Sequence, residues 1–189
     1  MRIIAGTFRS RPLQAPLGLA TRPTSDRLRE TLFNVLAPRI EGARFLDLYA
    51  GSGAVGLEAL SRGAVKVTCV ERAAPALETL RANLRKLGTE ETIRVRSGSV
   101  AEYLKQASDS WDVVFLDPPY DAEAEYAATL GALGGAAAGL LAVGAVVIAE
   151  HRRRKKLEDR YGKLARTRLL EQGDASLSFY QPVDSSSTE

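Results

Sequence analysis

Phe45-Leu46-Asp47-Leu48-Tyr49-Ala50-Gly51-Ser52-Gly53-Ala54-Val55-Gly56 reads as a buried strand, a glycine turn and the first turn of a helix. The glycines let the backbone approach a ligand closely, and a helix N-terminus welcomes an anionic group. The same alternation continues downstream. Strands are expected at 44–49, 65–71, 92–97, 112–117 and 143–150, with helices near 54–62, 74–87, 100–107 and 122–133 between them. That order gives a parallel sheet with right-handed crossovers. Gly134 to Gly139 is low in complexity and reads as a helix end or loop. Two further β-like runs, 164–171 and 175–181, meet at Gly173-Asp174 and predict a C-terminal antiparallel hairpin.

Upstream of the glycine turn, Thr21-Arg22-Pro23-Thr24-Ser25-Asp26 supplies capping hydroxyls and a first-turn carboxylate. Leu28, Leu32, Val35 and Leu36 then fall on one helical face, and the helix is expected to end before Pro38. Arg22 and Arg27 flank the start of that helix. Nearer the N-terminus, residues 1–16 alternate around Gly6 and read as a small hairpin, with Arg9 and Arg11 on one face of a strand. Phe8 reads as core in preference to a base-stacking ring.

The chain has 189 residues and a net charge of +3, enough for one α/β domain. The expected division is a basic hairpin extension over 1–20, a main domain over 21–182 and a frayed tail over 183–189. Residues 1–40 hold seven Arg against Asp26 and Glu30, so the remainder is slightly acidic. A basic arm on a near-neutral body suits a polyanion, or else is a solvated surface. Cys69, the one cysteine, sits in an apolar run and reads as core, which leaves no thiolate metal cluster and no disulfide framework. Neither a signal peptide nor a membrane-spanning run is visible, so the cytoplasm is expected and no membrane partner. His151-Arg152-Arg153-Arg154-Lys155-Lys156 reads as a solvated helix start in preference to a second nucleic-acid contact, with His151 at the surface.

Three ligands compete for the glycine turn. A nucleoside triphosphate would need a lysine that is missing. A nicotinamide dinucleotide fits Gly51, Gly53 and Gly56, with Glu71 placed for a ribose. S-adenosylmethionine fits them too, and its cationic part would also suit Asp47. The fourth strand separates the last two. It ends in Asp117-Pro118-Pro119-Tyr120, whose prolines hold the Asp117 carboxylate and the Pro118 carbonyl as acceptors on a stiff turn beside an aromatic ring. Two acceptors and a stacking face suit an exocyclic amine on a planar base and have no use in hydride transfer. A structural turn alone would need the prolines but not the trio. Gripping the amine through Asp117 and Pro118 would stabilise the charge it gains as a methyl group arrives, and Tyr120 would stack on the base.

The expected catalytic group is therefore Asp117, Pro118, Pro119 and Tyr120. Cofactor contacts are expected from Asp47, Ala50, Gly51, Ser52, Gly53, Glu71, Arg72, Ser99, Val100 and Asp117. Substrate contacts are expected from Arg9, Arg11, Arg22, Arg27 and Tyr120, with no metal.

Arg2-Ile3-Ile4-Ala5-Gly6, Thr21-Arg22-Pro23-Thr24, Asp26-Arg27, Leu32-Phe33-Asn34, Leu46 to Gly53, Glu58 to Ala64 and Asp117 to Tyr120 together resemble the RsmD-type 16S rRNA guanine-N2 methyltransferases over nearly the whole chain. The resemblance implies a Rossmann-like class I methyltransferase fold with a mostly parallel seven-stranded sheet. It implies an S-adenosylmethionine pocket formed by Asp47, Gly51, Gly53 and Glu71, a basic N-terminal β-hairpin for RNA, and action on one guanine of small-subunit rRNA. The expected partner is that rRNA within a ribosomal particle, and a monomer is favoured with the oligomeric state left open by the sequence. The motif would serve adenine N6 of DNA or RNA as well, which is the alternative. One departure is visible: Gly98-Ser99-Val100 stands where the family commonly has an acidic contact for the adenine amino group.

Overall fold

The structure is a computed structural model and describes residues 1–15, 24–119 and 122–183, with Glu123 described by its backbone only. Asp26–Ile40 forms α1, Arg44–Leu48 β1, Ala54–Ser61 α2, Lys66–Glu71 β2, Ala74–Leu87 α3 and Ile93–Ser97 β3. Val100–Gln106 forms α4, Trp111–Leu116 β4, Glu123–Leu133 α5, Leu141–Arg152 β5, Arg160–Tyr161 β6, Leu164–Gln172 β7 and Ala175–Pro182 β8. The expected tail, apart from Val183, lies outside the described residues.

The strands form one sheet in the order β3-β2-β1-β4-β5-β8-β7-β6. β1 to β5 pair in parallel, while β5–β8, β8–β7 and β7–β6 are antiparallel. The expected seven strands are all present, and the eighth is the two-residue β6. Side chains alternate across the pleat, so each strand feeds two cores. Phe45, Val113, Phe115 and Ile148 pack with Leu32, Leu57 and Leu80 on one face. Leu46, Leu48, Val114 and Leu116 pack with Leu104 and Leu130 on the other. The order of strands reverses between β1 and β4, and a crevice opens there at their carboxyl ends, as expected for an open α/β sheet.

Over its described residues, 1–15, the N-terminal arm is hairpin-shaped but contains no strand. It closes through a single antiparallel bridge, Arg2 to Pro12, with Ile3 N–H donating to Arg11 O at 3.0 Å. Arg9 and Arg11 therefore share no strand face, although both are exposed. The arm is instead strapped to α2. Fully buried Glu58 accepts the N–H groups of Ile4 (2.8 Å) and Ala5 (3.0 Å) and pairs with Arg29 (3.6 Å) and Arg62 (2.7 Å). Phe8 N–H donates to Ser61 Oγ at 2.9 Å, and the Phe8 ring packs against the core.

Three further expectations are corrected. α1 runs through Pro38 to Ile40, because burial of Leu36 and Ile40 keeps the last turn helical despite the missing N–H. The run from His151 starts no helix. β5 continues to Arg152 because His151 and Arg152 pair with Ser176 and Ala175 of β8. His151 is not at the surface either: it is buried, with Nε2 at 2.9 Å from Ser178 Oγ and Nδ1 at 3.0 Å from Arg152 O.

Candidate active site

A cavity of about 310 Å³ occupies the crevice, within the size range of small-molecule sites. Asp47, Ala50, Gly51, Ser52, Glu71, Arg72, Ser99, Val100, Asp117, Pro118 and Pro119 all line it, residues drawn from β1, β2, α4, β4 and the turns beside them. Gly53 lies just outside the lining and shapes the loop. Its φ is +78°, and a Cβ there would meet Leu80 Cδ1 at 2.1 Å, so the turn into α2 admits only glycine. At Gly56 a Cβ would stand 2.8 Å from Cys69 Sγ, so glycine brings α2 close to the sheet.

Asp47 Oδ2 accepts the Gly56 N–H at 2.9 Å, tying the strand end to the first turn of α2. Burial pushes its carboxyl up to about 7, the Gly56 bond opposes this, and the nearby Glu71 charge adds to it. Among the described residues, no cation pairs with it. A buried carboxylate without a cationic partner calls for one from a ligand. Glu71 is engaged differently. Its Oε2 accepts Gly51 N–H at 2.8 Å, and its Oε1 accepts the N–H groups of Arg72 and Ala73, both at 2.8 Å. Three of its roughly four acceptor sites are thus taken by backbone, leaving one for a ligand hydroxyl. A donor-bearing cation fits this wall, whereas pyrophosphate would face two carboxylates.

Ser99 caps α4 in a reciprocal box: its hydroxyl donates to Glu102 Oε2 at 2.7 Å and accepts the Glu102 N–H at 3.2 Å. That hydroxyl is committed to the helix, whatever binds beside it.

On the opposite wall, half-buried Asp117 follows β4 directly, with Pro118 buried behind it. Ala122 N–H donates to Pro119 O at 2.9 Å, closing the prolyl turn before α5. Burial, then the charges of Glu150 and Asp47, raise the Asp117 carboxyl well above the usual range. Glu150, on β5, is itself buried and raised to about 7, although it accepts the Thr24 hydroxyl at 2.6 Å. Tyr120 and Arg22 lie outside the described residues. Arg27 is exposed on the first turn of α1, three residues beyond Thr24, which lines the cavity. Arg9 and Arg11 lie outside the cavity.

Several contributors were not foreseen from sequence. The Tyr49 hydroxyl contacts Glu125 Oε2 at 2.8 Å and Thr129 Oγ1 at 2.7 Å, and Arg72 Nη1 lies 3.7 Å from Glu125 Oε1. This chain of contacts joins the glycine loop to α5 along the cavity rim. Burial pushes the Tyr49 phenol up from its ordinary value, so it acts as a neutral hydrogen-bonding group. Glu125 carried no local signal, and Thr24 stood out only as a possible cap, since each acts through a partner far away in the chain. Among the described residues, no group of three or more His, Cys, Asp or Glu side chains is arranged to hold a metal ion.

Comparison with known proteins agrees with this fold. The family model described as "Conserved hypothetical protein 95" matches residues 1–181. The Bacillus subtilis protein YlbH is 35% identical over 184 residues, 96% of this chain and 98% of that one. Ribosomal RNA small subunit methyltransferase D of Escherichia coli is 45% identical over 120 residues, which span 64% of this chain and 60% of that protein. The solved structure of the E. coli protein yhhF superposes with a TM-score of 0.83 at 37% identity, covering 96% of this chain and 97% of that one. The mostly parallel sheet with its C-terminal antiparallel hairpin is the class I methyltransferase fold. The chain belongs to the Conserved hypothetical protein 95 family, the family of the RsmD-type proteins that its motifs resemble.

Proposed function

We propose that this chain is an S-adenosylmethionine-dependent methyltransferase of small-subunit ribosomal RNA, acting on the exocyclic N2 amine of a guanine. One observation carries the reading: a single cavity at the switch point has the glycine loop with Asp47 and Glu71 on one side and Asp117-Pro118-Pro119 on the other. Family membership and the printed name of the E. coli relative support rRNA as the substrate. The choice of guanine rests on the likeness of the N-terminal segments to the RsmD-type proteins.

When bound, S-adenosylmethionine supplies an electrophilic methyl group on a sulfonium. Asp47 would balance its cationic portion, Glu71 would accept a ribose hydroxyl, and the backbone of Ala50 to Gly53 would follow its contour. Asp117 and the Pro118 carbonyl would accept the hydrogens of the guanine amine, aim its nitrogen into the cavity and stabilise the positive charge it gains. Tyr120 would stack on the base. The methylated nitrogen is acidic enough to lose its proton to water, so Asp117 acts by orientation and charge and need not be a strong base. Because a duplex hides the amine, the target nucleotide must be unpaired or extruded. Such an enzyme would work in the cytoplasm, on the rRNA of an assembling particle, as a monomer.

The test is incubation of the protein with labelled S-adenosylmethionine and unmodified small-subunit particles, naked small-subunit rRNA or DNA, followed by nucleoside analysis. N2-methylguanosine from a ribosomal substrate is expected. N6-methyladenosine would replace this reading with the adenine one, and no labelled nucleoside from any substrate would overturn both.

A further inference from the structure

The cations Arg152-Arg153-Arg154-Lys155-Lys156 take no part in the cavity, yet they stand at its edge. Leu116 of β4 is in register with Ala149 of β5, so Asp117 and Glu150 are neighbours and the run begins two residues beyond Glu150. The turn is ordered. Lys155 N–H donates to Arg152 O at 2.9 Å, and Arg153 N–H donates to Asp174 O at 2.8 Å. Buried His151 and Leu157 anchor its two ends, while Arg152, Arg153, Arg154 and Lys156 are exposed between them. Lys155 Nζ lies 5.5 Å from the ring centre of Tyr126, on the helix that follows the prolyl turn. Arg153 is paired with Glu171, whose carboxylate is 3.1 Å from its Nε. The arginines of the arm are placed differently. Arg9 and Arg11 follow the part of the arm that meets Ser61, at the end of α2 away from the glycine loop, a separation of about 12 Å along an eight-residue helix.

We infer that the 152–156 turn holds the phosphates of the RNA strand on either side of the target nucleotide, while Arg9 and Arg11 reach phosphates farther away. This deepens the reading of the site as an rRNA methyltransferase and rests on it. A base that leaves its stack to present an amine at Asp117 brings its flanking phosphodiesters to the carboxyl edge of β4 and β5. Cations already fixed at that edge release counterions on contact without first having to order the loop. Guanidinium groups also match phosphate oxygens with paired donors.

The test uses the full chain with Arg154→Gln and Lys156→Gln together, two exposed side chains outside the cavity. Affinity for a labelled, unmodified fragment of small-subunit rRNA is measured between about 50 and 200 mM salt. Loss of two single-strand phosphate contacts should reduce the slope of log affinity against log salt by about 1.4. S-adenosylmethionine should bind as in the wild type, and the KM for rRNA should rise. An unchanged slope overturns the proposal, as does an equal loss on duplex DNA that binds more tightly than the RNA. If the wild type binds RNA with the steeper slope but methylates none, the phosphate contacts of the turn stand, while the catalytic reading falls and with it their place beside a target nucleotide. If it methylates rRNA and the double variant keeps its slope, the bracket alone falls.

Discussion

On the β1–β2 wall of the cavity, the Glu71 carboxylate accepts three backbone N–H groups and Asp47 accepts one. On the β4–β5 wall, no hydrogen bond from the described residues reaches the Asp117 carboxylate, and Glu150 and Asp47 crowd it with like charge. The first wall is largely braced before any ligand arrives, with one Glu71 acceptor site and the Asp47 carboxylate left for the cofactor. Among the described residues the second wall leaves its key acceptor without a donor, which suits a group whose hydrogen bonds are completed by the substrate. Binding and transfer should therefore separate cleanly under mutation.

The largest effect is expected at Asp117. Asp117→Ala should lower the single-turnover rate of methyl transfer by about 10³-fold, the scale of losing a placed electrostatic partner. Cofactor affinity measured by calorimetry should stay within about threefold. A large loss of affinity would assign Asp117 to the binding wall.

Glu71→Ala should do the reverse. Removing a charged acceptor that also braces Gly51, Arg72 and Ala73 should weaken S-adenosylmethionine binding by about 10- to 100-fold. Transfer at saturating cofactor should be retained. Unchanged affinity would remove Glu71 from the ribose.

The pH dependence sharpens the contrast further. Because the Asp117 carboxyl is raised well above the usual carboxylate range, first by burial and then by the charges of Glu150 and Asp47, transfer should increase with pH as that group ionises. Glu150→Gln removes a neighbouring negative charge, lowers the pH at which Asp117 ionises and should move that rising limb to lower pH. A limb that stays in place would show that the two groups do not share their titration. Asp47 gives a stability signature with a definite sign. Its folded value of about 7 lies above the ordinary 3.8, so its stabilising contribution is full below about 3.8 and is lost as pH rises through about 7. Asp47→Asn should flatten that decline in the melting temperature of the ligand-free protein.

The smallest effect is expected at Ser99. With its hydroxyl already bound to Glu102, Ser99→Ala should cost about 1 kcal/mol of stability as a lost helix cap. Cofactor affinity should change by less than about twofold. A tenfold loss would mean that the cap opens to contact the adenine.

Much of this was legible in the chain itself, and the limits follow from range. Asp47, Gly51, Glu71 and Asp117 all reach one cavity because each sits at or just past a strand end, and strand ends are marked locally by an apolar run meeting glycine or proline. Glu150 and Thr24 could not be read that way. They meet across 126 residues of sequence, and neither has a neighbour that announces a buried pair. His151 misled for a related reason. A basic run looks the same whether it opens a helix or ends a strand, and only pairing with Ser176 and Ala175 of β8 decides between them. The arm's hairpin shape was visible in its alternation around Gly6. Its attachment to Glu58 and Ser61 was not, because those contacts come from the far side of α2.

The most direct measurement is a crystal structure of the protein with S-adenosylhomocysteine and a short RNA carrying the target guanine. The account predicts the guanine amine within hydrogen-bonding distance of both the Asp117 carboxylate and the Pro118 carbonyl, with the cofactor against Glu71. A base whose amine points away from Asp117, or a carboxylate turned out of the cavity into bonds with the protein's own backbone, would contradict it.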